Sequence, residues 1–338
     1  MRQRATMADI AREAGVSKGA VSYALNGRAG VSDLTRQRIL RIAEQLGWQP
    51  NSAARALSAA HADAVGLAIA RPARVLGLEP FFMEFVSGIE SELANRHTAL
   101  LLQVVHDHHE EIATYRRWWA GRRVDGVLVV DLYVDDQRVP VLEQLGLPAV
   151  VVGGPDGLGS LPGVWSDDAA AVDAAVDYLV ALGHSRIGRV AGLPELRHTQ
   201  VRTEAVAAAM ARHGLPYAGV VTTDYTGEEG ARATRALLSR QARPTAVIYD
   251  NDVMAVAALG VAQEMGLRVP DDVSIIAWDD SPLCQLVRPA LTALSRDITA
   301  YGAHAARMLL ALLDTGEITT TEDTAARLVV RGSTAKAP

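Results

Sequence analysis

The chain has 338 residues, 49% of them hydrophobic and 21% charged, with 33 basic side chains against 39 acidic ones for a net charge of −6. That length leaves room for more than one domain, and the composition is that of a globular protein rather than a disordered or fibrous one. The single cysteine, Cys284, excludes a disulfide framework within the chain; no run approaches a membrane span, and Met1-Arg-Gln-Arg-Ala-Thr6 lacks the apolar core of a signal peptide, so a cytoplasmic chain is expected.

Residues 7–26 read Met7-Ala-Asp-Ile-Ala-Arg-Glu-Ala-Gly-Val-Ser-Lys-Gly-Ala-Val-Ser-Tyr-Ala-Leu-Asn26. Ile10, Ala11, Val16, Val21, Ala24 and Leu25 fall at the spacing of a helix-turn-helix, and Gly15 sits where the turn needs positive φ. Thr6 and Asp9 form a capping box for the first helix, and Ser17 is placed to cap the second. In such a motif the second helix enters the major groove, led by the residues after its cap. Here those are Lys18 and Gly19, followed by Ser22, Tyr23 and Asn26. Lys18 can donate to guanine, while Gly19 costs roughly 1 kcal/mol of helix propensity. Its presence makes sense where the helix backbone lies against DNA; a poor helix residue on a solvated face is the other reading.

A third helix runs from a Ser32 cap through Thr35, Ile39, Leu40, Ile42, Ala43 and Leu46 to a stop at Gly47, and should close a three-helix core. Through residue 60 nine basic side chains face four acidic ones, a net +5, whereas the remainder carries 24 against 35, a net −11. A basic head on an acidic body suits phosphate contact at one end and repulsion of DNA elsewhere.

The motifs Ala14-Gly-Val-Ser17, Ala20-Val-Ser-x-Ala-Leu-Asn-Gly27 and Pro50-Asn-x-x-Ala-Arg-x-Leu57 resemble, in order and spacing, the LacI family of transcriptional regulators. The resemblance implies a DNA-binding head over 1–49, in which Thr6, Ser17, Lys18, Gly19, Ser22, Tyr23 and Asn26 meet the operator, and a hinge helix within 50–61 that orders on DNA beside its symmetry mate. Asn51, Ala54 and Arg55 would lie at the minor groove, with Leu57 as an apolar wedge between base steps. A helix that short is marginal alone, so DNA and a partner decide whether it forms. A linker helix with Leu57 packed on the core is the alternative.

Beyond the hinge, short apolar runs alternate with amphipathic helices. Strands are expected at 65–70, 99–105, 126–130, 149–152, 186–191, near 220, 246–249 and 274–277, with helices at 84–95, 109–120, 139–146, 169–182, 199–213, 228–239 and 252–265. This order predicts parallel sheets clothed by helices, in two wound units with a cleft between them. The family resemblance adds a periplasmic-binding-protein-like body over 62–338, with crossovers near 164–166, 292–296 and 319–321. Lobe one would take 62–163 and 297–319, including a helix over 301–313; lobe two would take 166–292 and 322–332, including a strand at 327–330.

A ligand in such a fold sits beyond the carboxyl ends of the strands. By resemblance, Pro80-Phe81-Phe82 in the loop after the first strand supplies an aromatic pair at the cleft mouth, stacking on a ligand or, for Phe82, packing in the core. That loop, 70–80, is longer than in better-known members. Arg202 stands at the family arginine, although the helix reads Arg-Thr-Glu-Ala-Val where relatives have R-x-x-G-F; it meets an effector or forms an ion pair. Tyr225 and Asn251 match an aromatic and an Asn-Asp position, with Asp252 readable as a helix cap only. Asp279 would accept two adjacent hydroxyls, and Trp278 offers either a platform for a sugar ring or a core residue.

His106-Asp-His-His-Glu110 lacks the spacing of a metal motif and reads as a solvated loop; 153–157 reads as a turn. No nucleophile-elbow motif is present, so no catalytic residue, metal or cofactor is expected. The implied function is a repressor-like, homodimeric reader of a pseudo-palindromic operator, controlled by a sugar- or nucleoside-like effector and without a membrane partner. Absence of the apolar heptads that some relatives use for tetramers argues for a dimer. A solute-binding protein for a transporter would explain the lobes but not the basic head, and a sugar-converting enzyme needs an acid/base pair that is not found.

Overall fold

Two compact units divide between Ala62 and Asp63. The computed structural model describes residues 5–25, 27–48 and 61–338. Asn26 and the hinge residues Asn51, Ala54, Arg55 and Leu57 lie outside the described residues.

In the first unit, helix α1 (Met7–Ala14) starts on the capping box: Thr6 Oγ1 accepts from the Asp9 amide, and Asp9 Oδ2 accepts from the Thr6 amide at 2.9 Å. Gly15 closes it at φ 63°, where a Cβ would be strained. Ser17 Oγ accepts from the Ala20 amide at 3.1 Å, starting α2 (Lys18–Leu25), and Ser32 caps α3 (Asp33–Gln45). Ile10, Ala11, Ala14, Val21, Ala24, Ile39 and Ala43 form the core. Leu40 and Leu46 depart from expectation, being 46% and 37% exposed. Leu40 follows Ile39 and is rotated by about 100° off the buried stripe, and Leu46 lies past the last helical turn. Trp48 packs against the core instead.

The second unit contains two six-stranded sheets. The first is built from β1 (Ala64–Ile69), β2 (Ala99–Val104), β3 (Gly126–Val129), β4 (Ala149–Val152), β5 (Gly163–Ser166) and β11 (Thr321–Asp323), in the order β11-β5-β4-β3-β1-β2. The second has β6 (Ile187–Ala191), β7 (Val220–Thr222), β8 (Ala246–Tyr249), β9 (Ser274–Trp278), β10 (Thr292–Ser295) and β12 (Arg327–Val329), in the order β12-β10-β9-β8-β6-β7. All pairings are parallel except β10 with β12. The central strands are buried on both faces, so they read as continuous apolar runs. Within each, side chains alternate between two cores: Val65, Leu67 and Ile69 enter one with Leu128, while Ala68 joins the other with Val127 and Val129.

Helices fill the connections: α4 (Ala73–Leu76), α5 (Pro80–Ala94), α6 (His108–Ala120), α7 (Arg138–Leu145), α8 (Asp168–Ala181), α9 (Arg197–Arg212), α10 (Gly227–Leu238), α11 (Asp252–Glu264), α12 (Pro282–Leu286) and α13 (Ile298–Thr315). Helix α5 begins four residues before the expected 84, because Pro80 at its first turn presets φ and has no amide to satisfy. Helix α6 begins at His108, its cap Asp107 accepting from the Glu110 amide at 2.9 Å, so the His106–Glu110 stretch is a helix start rather than a solvated loop. Helix α13 returns to the first sheet, burying Ile298, Ala305 and Leu309 beside Phe85 and Ile89. The first two crossovers follow β5 and β10 as expected; the third passes between β11 and β12, after Asp323, because Thr321–Asp323 first pair with β5.

Candidate functional site

A cavity of about 340 Å³ lies beyond the carboxyl ends of strands from both sheets. Parallel strands deliver their following loops to one edge, so residues just past β3 (Asp131), β4 (Gly153 to Asp156), β8 (Asp250), β9 (Asp279) and β10 (Arg296) meet there. Three wall residues hold left-handed backbones, Asp131 (φ 50°), Tyr225 (φ 69°) and Asp279 (φ 63°), the kind of local strain that gathers at ligand sites.

Of the residues singled out in the sequence, Phe81, Phe82, Arg202, Tyr225 and Asp279 line this cavity. Phe81 and Phe82 stand on the first turn of α5 rather than in a loop, their rings edge to face at 5.3 Å. Tyr225 is buried, its hydroxyl 2.7 Å from His198 Nε2 and 3.1 Å from Thr199 Oγ1. Its ring occupies the space beside Gly192, where a Cβ would come within 1.8 Å of it.

Asn251 and Trp278 are corrected: neither lines the cavity. Asn251 caps α11, its Oδ1 accepting from the Met254 amide at 2.9 Å, while its Nδ2 donates to Tyr225 O at 3.0 Å and to Glu79 Oε1 at 3.3 Å. Asp252 is the first residue of that helix, not its cap. Trp278 ends β9 facing Ile276, Ile248 and Leu294 in the core, and the Arg202 guanidinium carbon lies 3.6 Å from its ring centroid. It is a platform for the arginine, not for a ligand. The 153–157 turn also contributes more than expected, since Gly153, Gly154, Pro155 and Asp156 are part of the wall.

Four arginines line the cavity, each beside a carboxylate. Arg71 Nε donates to Asp131 Oδ2 at 2.8 Å, Arg202 Nε to Asp168 Oδ2 at 2.7 Å, and Arg197 Nη2 to Asp156 Oδ2 at 3.2 Å; Arg296 Nε stands 3.9 Å from Asp279 Oδ1. Asp250 is bound from below by Arg189, at 2.9 and 2.7 Å. Burial opposes ionisation of Asp131 and Asp250, yet Arg71 and Arg189 respectively hold them below the usual carboxylate range. Burial instead dominates at Glu79, pushed up to about 7 against Arg71 and Asn251, and at Asp279, pushed up to about 6 against Arg296 and Arg202. His198 is pushed down to about 4 by burial and then by Arg202, so its ring is neutral near pH 7.

Four buried wall atoms find no hydrogen-bond partner among the described residues: Arg71 Nη1, Glu79 Oε2, Asp279 Oδ1 and Arg296 Nε. Leaving such groups unmade costs about 1–3 kcal/mol each, so two donors and two acceptors around one cavity, a pair past each sheet, mark a place where a polar molecule completes the set. Among the described residues no cluster has the make-up of a metal site.

Sequence reasoning missed Arg71, Glu79, Asp131, Trp165, Asp168, His198, Arg296 and Tyr301. Asp131 and Arg296 were within reach, as polar residues directly after buried strands. Arg71, two residues past the buried strand β1, carried the same signal as Asp131; Glu79, at the far end of the long loop around α4, carried none.

In the first unit, Ser17, Lys18 and Gly19 are exposed at the start of α2, and Tyr23 is exposed farther along it; Thr6 is also exposed, and Ser22 is half-buried. Lys18 is therefore free of the core, with its chain leading the helix, as a groove-reading residue must be.

Residues 6–51 match the family model of bacterial regulatory proteins of the lacI family, and residues 176–334 match a periplasmic binding protein-like domain. The HTH-type transcriptional regulator CelR of Thermobifida fusca is 33% identical over 94% of this chain and 94% of its own length. The chain belongs to the LacI family. A solved complex of transcriptional regulator CelR with cellobiose aligns over 98% of this chain and 100% of its own at a TM-score of 0.75 and 30% identity. The lac repressor dimer bound to operator and the anti-inducer ONPF shares the fold, with a TM-score of 0.88 over 98% of this chain and 100% of that one at 24% identity. This LacI-family chain is thus a DNA-binding transcriptional regulator with a small-molecule cavity in its α/β body. No helix among the described residues is long and apolar enough to cross a membrane.

Proposed function

We propose that this LacI-family regulator acts in the cytoplasm as a homodimeric repressor of a pseudo-palindromic operator, and that a sugar held in the cavity controls its grip. The observation that carries the sugar is the long Asp279–Arg296 ion pair, whose Oδ1 and Nε stand 3.9 Å apart with no hydrogen-bond partner among the described residues, and Arg296 is also 5.5 Å from the Phe81 ring centroid. A sugar hydroxyl donates to the carboxylate and accepts from the guanidinium, and an apolar ring face packs on Phe81. That the related CelR is solved with cellobiose supports this class of ligand.

Two copies are needed because one head reads only a half-site. Exposed Leu78, Met83, Leu102 and Val104 on the first-sheet side give a second copy an apolar surface to cover. The sugar changes the relation of the lobes, and through the 51–59 hinge with its Leu57 wedge it shifts DNA affinity; linkage makes that coupling reciprocal.

Footprinting on DNA upstream of the protein's own reading frame, with and without a panel of neutral sugars, tests this. Protection of an inverted repeat that one sugar strengthens or relieves is expected. No preference for any inverted-repeat duplex over random sequence at moderate salt, with or without sugar, rejects it.

A further inference from the structure

Arg71 and Glu79 bracket the loop between β1 and α5, and both point into the cavity wall. Arg71 is 4% exposed, with Nε on Asp131, its guanidinium carbon 4.5 Å from the Tyr225 ring centroid, and Nη1 unpartnered among the described residues. Glu79 is 8% exposed; Oε1 accepts from Asn251, and Oε2 is unpartnered. Glu79 stands at the cap position of α5 but makes no capping hydrogen bond, so helix capping does not explain a buried carboxyl there.

The ion pairs around the cavity narrow what fits between these two atoms. Each of the four wall arginines already has its own carboxylate, and Asp250 has Arg189. Glu79 makes no ion pair among the described residues, and Arg71, the cation that acts on it, is already held by Asp131.

We propose that Arg71 and Glu79 form a recognition pair for adjacent hydroxyls of an uncharged sugar, and that Glu79 is the residue that turns away phosphorylated or carboxylated sugars. This rests on the cavity being a sugar site. One hydroxyl accepts from Arg71 Nη1 while its neighbour donates to Glu79 Oε2, completing both orphaned atoms. A phosphate or carboxylate in the same place meets Asp131 and a Glu79 only half ionised at pH 7, which must either face a like charge or take up a proton before the anion can bind. Burial already pushes Glu79 up to about 7, the mark of an environment that resists negative charge.

The test is isothermal titration calorimetry of the full chain at pH 7 with glucose, cellobiose and maltose, each set against its anionic counterparts: glucose 6-phosphate and gluconate, cellobionate, and maltobionate. The expected wild-type result is a neutral sugar that binds at least about tenfold tighter than its anionic counterpart, a gap of roughly 1.4 kcal/mol. In Glu79→Gln, which keeps size and shape, that ratio should shrink by about tenfold, whatever happens to the neutral affinity itself. Thermal melting confirms that the variant is folded, and Glu79→Ala should shrink the ratio in the same direction. An anion bound as tightly as its neutral parent, or a ratio unmoved in both variants, overturns the pair while leaving the sugar reading standing. Silence from every sugar, in a preparation that still holds an inverted-repeat duplex, overturns both.

Discussion

The Arg202 guanidinium lies over the Trp278 indole, 3.6 Å from guanidinium carbon to ring centroid, while its Nε is held by Asp168 at 2.7 Å. A flexible side chain is thereby fixed from two sides before any ligand arrives, and a desolvated cation over an aromatic ring is worth about 2 kcal/mol. Replacing Trp278 by Leu keeps apolar bulk but removes that platform. Effector affinity should fall about tenfold, read as a shift in the sugar concentration that changes operator binding, with DNA binding in the absence of sugar retained. An unchanged sugar midpoint would remove Trp278 from the recognition apparatus. Trp278→Ala is the harsher change, expected to lower stability by about 3–5 kcal/mol through the void it leaves.

Asp279 sits at φ 63°, a conformation asparagine also tolerates, so Asp279→Asn preserves the backbone while removing the charge. The variant should melt near wild type, retain operator binding and lose sugar responsiveness by at least about tenfold, as expected for a hydrogen bond to a charged acceptor. Gel-shift titration with the responsive sugar reads the outcome; a full response in Asp279→Ala as well would exclude it from the site.

Stability of the ligand-free body should fall as pH rises from 5 to 8. Glu79 and Asp279 have folded values raised to about 7 and about 6 by burial, above the 4.5 and 3.8 of the free groups. The stability they add is complete below those free values, where both states are protonated, and is lost as pH climbs through 6 and then 7, at about 1.4 kcal/mol per unit of displacement. Asp131 and Asp250 act oppositely only below the ordinary carboxylate range, whereas His198, held down to about 4 from 6.5, offsets part of the decline up to about pH 6.5, so the net fall is clearest above that. Differential scanning fluorimetry across pH 5 to 8 should show the decline, with Glu79→Gln flattening its upper half. A Glu79→Gln profile that falls as steeply as wild type between about pH 6.5 and 8 contradicts the assignment.

In the head, Lys18→Ala should weaken operator binding by about 1–3 kcal/mol with no change in melting, because the side chain is exposed and outside the three-helix core. Ser17→Ala removes the acceptor of the Ala20 amide and should cost about 1 kcal/mol of stability in the head as well. Leu57→Ala should lower operator affinity and leave sugar affinity nearly untouched. Calorimetry and gel shift on the same samples separate the three.

Local chemistry carried much of this fold in the open. The Thr6–Asp9 box, the positive φ of Gly15 and the Ser32 cap depend on neighbours within a few positions, and all are found as the spacing predicts. The alternation of buried strands with helices was legible for the same reason, since each element's buried face is written in its own periodicity. Family motifs supplied the crossovers, which periodicity alone does not encode, though the third lies past β11 because that short strand pairs with β5.

What only tertiary structure decided is which member of an adjacent pair looks into the cavity. Asp250 and Asn251, like Trp278 and Asp279, are neighbours in sequence at strand ends, yet only Asp250 and Asp279 reach the wall. Side chains alternate along a strand, so Trp278 follows Ile276 into the core while the left-handed turn at Asp279 swings its carboxyl toward the cleft. Arg71 and Glu79 gained their meaning only when the fold set them beside Asp131 and Asn251, because a buried charge is defined by neighbours far away in the chain.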